Sequence, residues 1–146
     1  MGKQESGLQA ACMQFLRFKG YCPVKHNPFG GFTEDGTLRK SHQTGEPDIK
    51  AVLAPYGIAL MLEIKATKGI LTFAQACRLK AYAEAGAVVA VIRGENTEEL
   101  EFLLGEALRW ADGASYKNIG EYQKEIAGFC HIFDWKEIQE AIAKGK

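Results

Sequence analysis

The 146-residue sequence lacks an excess of either charge, because 18 Lys and Arg residues balance 18 Asp and Glu residues. Proteins that bind nucleic acids usually carry a basic surplus, so this balance counts mildly against nucleic-acid binding. The charges are unevenly distributed along the chain. Residues 17–50 are locally basic, whereas acidic side chains concentrate between residues 95 and 106. The sequence therefore predicts a surface with separate basic and acidic regions.

Long apolar runs, cysteine motifs and internal repeats are also absent. No window approaches the roughly 20 apolar residues of a membrane-spanning helix, and the N-terminus has no apolar segment of the kind found in secretion signals. The four cysteines form no C-x-x-C pair, so we expect free thiols in a reducing cytoplasm rather than disulfides or a zinc site. The apolar content of 47% indicates a globular domain with a hydrophobic core.

Hydrophobic periodicity predicts an alternation of helices and strands. Apolar residues recur at helical spacing early in the chain, and continuous apolar runs typical of buried strands follow. We predict helices over 4–19, 73–85 and 97–110, strands over 21–27, 48–53, 58–65 and 87–92, and a loop over 27–45. Two further short helices are predicted over 116–127 and 135–144.

Two short strands joined by the turn at residues 54–57 bring polar residues into an otherwise apolar region. Asp48 opens the first strand and Glu63 lies near the end of the second, so pairing of the strands allows the two carboxylates to approach each other. Glu63 and Lys65 point to the same face, and Ile64 points into the core. Two carboxylates suit Mg²⁺, which binds phosphate oxygens and activates water. A simpler interpretation is a pair of surface salt bridges, Glu63 with Lys65 and Asp48 with Lys50.

Pro47-Asp48 and Glu63-Ile64-Lys65 resemble the signature of the PD-(D/E)XK nuclease superfamily. The resemblance is closest to the VRR-Nuc family in its stand-alone, phage-type form, and it covers residues 5–93. It implies an α/β fold with a restriction-endonuclease-like αβββαβ core, in which helices flank a mixed central sheet. This nuclease core is expected over residues 1–110. A helical extension, residues 111–146, is expected to pack on the core or on a partner subunit.

The resemblance also implies a DNA endonuclease that depends on Mg²⁺ or Mn²⁺ and acts as a homodimer in the cytoplasm. If the protein is encoded by a phage, this is the cytoplasm of the bacterial host. In this interpretation Asp48, Glu63 and the Ile64 carbonyl bind the metal, Lys65 assists the water and Gln75 supports the site. The family also places a glutamate of the opening helix, here Glu5, among the metal ligands, although a favourable interaction with the helix dipole explains it equally well. Candidate nucleic-acid contacts are Lys25, Asn27, Arg39, Lys40 and Lys68.

Several alternatives remain open from the sequence. Gln75 occupies the N3 position after Thr72, so it is either a capping-box residue or a metal-site residue, since one amide is not expected to serve both fully. The fold is equally compatible with a non-catalytic nucleic-acid-binding module, or with a structural protein in which Asp48, Glu63 and Lys65 form a salt-bridge cluster. The sequence does not distinguish a DNA substrate from RNA, or a nick from a double-strand cut. It also does not show whether the substrate is branched, flapped or linear.

Overall fold

The computed structural model of the chain describes residues 2–26, 29–32, 38–40, 45–112 and 135–145. These residues form both α-helices and β-strands. The elements are α1 (Lys3–Lys19), β1 (Val24–Lys25), β2 (Phe29–Phe32), β3 (Leu38–Lys40), β4 (Ile49–Leu53), β5 (Ile58–Ile64), α2 (Phe73–Glu84), β6 (Val88–Ile92), α3 (Glu98–Asp112) and α4 (Trp135–Gly145).

A four-stranded sheet in the order β1-β4-β5-β6 forms the centre of the fold. β1, β4 and β5 pair antiparallel, with Ile49 opposite Leu62 in the β4–β5 pair. β5 and β6 pair in parallel, with Leu60 opposite Val88. Parallel neighbours need a crossover connection, which α2 provides. The predicted mixed sheet flanked by helices is therefore confirmed.

Alternation along the strands divides the core into two layers. On one face, Ile49, Leu62 and Ile64 pack with α1 and α3 in one buried cluster. On the other face, Met61 and Val89 pack with α2 and α4. All five residues of β6 are buried, as expected of a strand covered on both faces. The inward residues predicted for α2 are confirmed, because Ala76, Leu79 and Ala83 are fully buried.

The structure corrects two predictions upstream of β4. The strand predicted over 21–27 is reduced to Val24–Lys25, since Cys22 adopts a left-handed backbone with φ 48° and Pro23 cannot donate a ladder hydrogen bond. The loop predicted over 27–45 contains the β2–β3 hairpin. Its strands have four and three residues and a register shift between Phe29 and Gly31, which leaves no regular alternation for a sequence pattern to detect.

The C-terminal helix belongs to the core layer formed by α2. The predicted helix over 135–144 is confirmed as Trp135–Gly145, and its Ile138 is fully buried against the α2 cluster. The helix predicted over 116–127 lies outside the described residues. Within the described ranges, no helix is both long and apolar enough to cross a membrane.

Candidate functional site

Asp48 and Glu63 meet at one end of the central sheet. The antiparallel register that places Ile49 opposite Leu62 puts Asp48 opposite Glu63, one residue further along. The Ile64 backbone N–H donates a hydrogen bond to Asp48 Oδ2 at 2.8 Å. Both carboxylates face α2, because they alternate with residues of the α1 layer. They lie where the parallel strands β5 and β6 end, the edge at which open α/β sheets commonly bind ligands.

Glu63 is buried, with 3% of its surface exposed. Its Oε1 accepts a hydrogen bond from Gln75 Nε2 at 2.9 Å, whereas its Oε2 is buried without a hydrogen-bond partner among the described residues. Burial, followed by the nearby Asp48 carboxylate, raises the pKa of Glu63 to about 9, while the Lys65 ammonium opposes this shift. Two ionised carboxylates this close repel each other, and a proton or a cation relieves the repulsion.

Gln75 makes contacts in both of the places that the sequence analysis treated as competing, the helix cap and the carboxylate pair. Its Oε1 accepts from the Thr72 backbone N–H at 3.0 Å, and Thr72 Oγ1 accepts from the Gln75 N–H at 3.1 Å, which completes a capping box. Its amide nitrogen at the same time donates to Glu63. The expectation that one amide could not reach both places is corrected, because the carbonyl oxygen and the amino group of Gln75 bond to different partners at the same time. The start of α2 is therefore tied directly to the carboxylate pair. A role of Gln75 at a metal site stays a prediction.

Glu5 reaches the same region from the first turn of α1. Its Oε1 accepts from the Ala66 backbone N–H at 3.1 Å, and the neighbouring Gln4 exchanges two 3.0 Å hydrogen bonds with Thr67. The charge of Glu5 also contributes to raising the pKa of Glu63. Glu5 thus holds the backbone that follows β5 and adds negative potential to the site.

Lys65 and Lys68 lie on the segment that follows β5. The Lys65 backbone N–H donates to the Ile92 carbonyl at 3.0 Å, and its side chain acts on Glu63 through charge. Lys68 lines a cavity of about 510 Å³ between this segment and α4. Arg93 spans that cavity wall, donating to the Gly69 carbonyl at 2.9 Å and to Glu137. Lys68 is therefore placed at this cavity, and its contact with nucleic acid stays a prediction.

The other predicted nucleic-acid contacts are not brought together by the described residues. Lys25 lies opposite Ile49, which places it on the α1 side of the sheet, away from Asp48. Asn27 lies outside the described residues, and so do the side chains of Arg39 and Lys40, whose backbone forms part of β3. His26, in contrast, is placed opposite Asp48, and its backbone N–H donates to the Asp48 carbonyl at 2.8 Å.

A second buried carboxylate was missed by the sequence analysis. Glu46 is 5% exposed, and it forms ion pairs with Arg78 and, at 2.6 Å, with Lys50. The Tyr82 hydroxyl donates to its Oε2 at 2.7 Å. The alternative of an ion pair between Lys50 and Asp48 is corrected by this arrangement, since Lys50 is held by Glu46. Gln75, Arg78 and Tyr82 recur at helical spacing, a pattern that could have indicated a polar face of α2.

Gly45 fits the segment before Asp48 tightly against α2. Its backbone has φ 81°, and a Cβ at this position would lie 2.6 Å from the carbonyl carbon and oxygen of Ala74. Only glycine accommodates both the left-handed backbone and this close approach. The two carboxylates are therefore positioned by a direct contact of the segment before β4 with the first turn of α2.

The sequence analysis assigned Asp48, Glu63, the Ile64 carbonyl and Glu5 as ligands of a metal. Within the described ranges, no group of three or more His, Cys, Asp and Glu side chains is arranged to hold a metal ion. The assignment of these four ligands stays a prediction.

Comparisons of the chain with protein-family models, curated proteins and solved structures give no significant match.

Proposed function

We propose that this protein is a metal-dependent endonuclease that hydrolyses phosphodiester bonds in DNA, with a restriction-endonuclease-like core. The observation that carries the proposal is the buried pair of Asp48 and Glu63, in which one Glu63 oxygen has no described partner. A buried carboxylate oxygen without a partner is costly unless a proton or cation binds it. The same pair resembles the PD-(D/E)XK signature, and Lys65 acts electrostatically on it.

The donor set fits Mg²⁺ or Mn²⁺. Carboxylate oxygens are hard ligands, and Mg²⁺ is commonly held by one or two carboxylates together with waters and substrate phosphate. Asp48 and Glu63 would hold the ion, the Ile64 carbonyl is proposed as a further ligand, and Glu5 contributes negative charge near it. The bound ion would supply Lewis-acid polarisation of the phosphodiester and a more acidic water.

The surrounding residues have distinct roles in this proposal. Gln75 fixes the orientation of the Glu63 carboxylate through a 2.9 Å hydrogen bond. The Ile64 N–H holds Asp48 in the same way. Lys65 stabilises the negative charge that develops when a nucleophile attacks phosphorus, an interaction that is stronger in the transition state than in the ground state.

A substrate panel tests the proposal. Linear duplex, single-stranded and branched DNA, with an RNA counterpart, are incubated with the protein and Mg²⁺ or Mn²⁺, and chelator serves as control. We expect chelator-sensitive cleavage of DNA, and the panel shows whether branched substrates are preferred. Salt-sensitive binding without cleavage would instead select a non-catalytic nucleic-acid-binding module. Neither binding nor cleavage would leave a structural protein.

We also propose that the active form is a homodimer, because two strands require two sites and a twofold dimer pairs identical surfaces. The sequence predicts that residues 115–140 help to form the interface. Ile138 of this segment packs with the α2 cluster of its own chain, so we propose that the interface involves residues 115–134, which lie outside the described residues. Light scattering of the full chain at tens of micromolar, roughly the range in which a weak specific interface is populated, is expected to give a dimer mass. A monomer mass contradicts the proposal.

A further inference from the structure

A second polar cluster lies beside the carboxylate pair on the same face of the sheet. We call it the Glu46 cluster, and it consists of Glu46, Lys50, Arg78 and Tyr82. The Glu46 side chain is completely buried, whereas 38% of the Lys50 side chain and 42% of the Arg78 side chain are exposed. Two cations thus surround one carboxylate, which leaves one positive charge in surplus at the surface.

Both cations are held in place more firmly than ordinary surface side chains. The Lys50 ammonium lies 5.3 Å from the centre of the Tyr82 ring, and the Arg78 guanidinium lies 5.6 Å from it. Lys50 Nζ also donates to the Tyr82 hydroxyl at 3.1 Å. Because these contacts already restrict both side chains, little further conformational entropy is lost when the side chains bind a ligand. The cluster is therefore preorganised for an anion.

The position of the Glu46 cluster relates it to the proposed reaction site. Lys50 is two residues from Asp48 on the same strand face, a distance of about 7 Å. Arg78 follows Gln75 by three residues on α2, which places their Cβ atoms about 5–6 Å apart. Lys50 is therefore two residues along the strand from Asp48, and Arg78 is one helical turn from Gln75, which contacts Glu63.

We propose that Lys50 and Arg78 form a phosphate-binding subsite, which holds a backbone phosphate adjacent to the one that is cleaved. Glu46 positions the two cations and offsets part of their charge. The position of this phosphate next to a cleaved one rests on the proposed function. The binding of a phosphodiester by a guanidinium and an ammonium does not require cleavage. This subsite differs from the nucleic-acid contacts that were predicted from the sequence, none of which lies on α2.

Binding without catalysis tests the subsite. Fluorescence anisotropy of a labelled DNA duplex and of a labelled single strand is measured in chelator over a series of KCl concentrations. The variants are Lys50→Gln, Arg78→Gln and Glu46→Gln. Arg109→Gln is the matched control, since Arg109 is an exposed arginine on α3, in the opposite layer, and pairs with Glu106. Circular dichroism establishes that each variant is folded.

We expect Arg78→Gln and Lys50→Gln each to reduce the magnitude of the salt slope by about 0.9 on duplex DNA and about 0.7 on single strands. The corresponding loss of affinity at 0.1 M salt is roughly fivefold to tenfold. Glu46→Gln is expected to increase affinity, because it removes the anion that competes with phosphate. Arg109→Gln should leave the salt slope unchanged.

The outcomes separate this inference from the proposed nuclease activity. If Lys50→Gln and Arg78→Gln have the salt slope of the control while Glu63-dependent cleavage is retained, the subsite is wrong and the nuclease stands. If both variants weaken binding but no substrate is cleaved, the subsite stands without the nuclease. If Arg78→Gln does not fold, Lys50→Gln decides, since it leaves Glu46 paired with Arg78. Weaker DNA binding by a folded Glu46→Gln protein contradicts the subsite as well.

Discussion

Glu46 and Glu63 are two buried carboxylates on one face of one sheet, and the same helix contacts both. Glu46 has two cations and a tyrosine hydroxyl as partners. Glu63 has an amide, a second carboxylate nearby and one oxygen without a described partner. The two side chains are almost equally buried, at 5% and 3% exposure. They differ in the charge that surrounds them.

That difference separates a carboxylate whose charge is compensated by directly bonded cations from one whose charge is not. Two ion pairs compensate the charge of Glu46 within the chain, so its burial carries little penalty. No cation is bonded to Glu63 among the described residues, and Lys65 offsets its charge only in part, so ionised Glu63 is costly to bury. Local rules of stability are commonly violated at functional sites, which is why this imbalance supports Glu63, rather than Glu46, as the reactive carboxylate.

The largest effect that follows from this comparison is on cleavage. Asp48→Asn and Glu63→Gln preserve side-chain shape but remove the charge that would bind the metal. We expect each to lower the cleavage rate by roughly a thousandfold, which corresponds to several kcal/mol of lost transition-state stabilisation. The measurement is plasmid cleavage with Mg²⁺ under single-turnover conditions.

Glu84→Gln is the control for this loss, because Glu84 is an exposed carboxylate on α2 that pairs with Lys80 at 3.5 Å. It should cleave at the unchanged rate. A folded Glu63→Gln protein with full activity would end the nuclease hypothesis.

Lys65→Ala is expected to have the next largest effect, a decrease of roughly a hundredfold in the chemical step, because its ammonium acts on charge that develops in the transition state. Binding of DNA should change little. Single-turnover kinetics at saturating protein separates the two quantities. A large loss of affinity with an unchanged cleavage rate would make Lys65 a phosphate contact instead, which would place it with Lys50 and Arg78.

The comparison also explains what the sequence could and could not predict. The carboxylate pair was predictable, because Asp48 and Glu63 lie at the ends of two strands whose register follows from their length and turn. The Glu46 cluster was predictable only in part. The helical spacing of Arg78 and Tyr82 indicates a polar face of α2, but the close approach of Gly45 to α2 leaves no pattern in the sequence. The β2–β3 hairpin was missed because its short strands lack regular alternation.

The third prediction concerns stability in the absence of metal. The pKa of Glu63 is about 9 in the folded protein, against 4.5 for an ordinary glutamate. Between these values the folded state retains a proton that the unfolded state has lost, so the free energy of unfolding decreases as pH rises. The slope for one proton is at most about 1.4 kcal/mol per pH unit.

Glu63→Gln should remove this slope and make the metal-free protein more stable than wild type at pH 8. Glu46→Gln should have the opposite sign and lower the free energy of unfolding by about 1–3 kcal/mol, because two cations lose their shared partner. Urea unfolding in chelator at pH 5 and pH 8 measures both. If the two variants change stability in the same direction, the distinction between the carboxylates is wrong.

The smallest expected effect concerns Gln75, which links the two roles at the start of α2. In Gln75→Glu, the new carboxylate can still accept from the Thr72 N–H, and a negative charge is favoured in the first turn of a helix. The donor to Glu63 is lost, and a further negative charge is placed beside it. The added carboxylate raises the folded-state pKa of Glu63 further, so the cost of the substitution increases as pH rises. We expect the free energy of unfolding to decrease by about 1–2 kcal/mol at pH 8 and by less at pH 5.

Thr72→Ala is the control, because it removes only the helix cap. Its free energy of unfolding should decrease by about 1 kcal/mol at both pH values. Urea unfolding in chelator compares them. An equal loss for Gln75→Glu at the two pH values would mean that Gln75 acts as a helix cap alone, and that the orientation of Glu63 depends on Asp48 and the surrounding backbone instead.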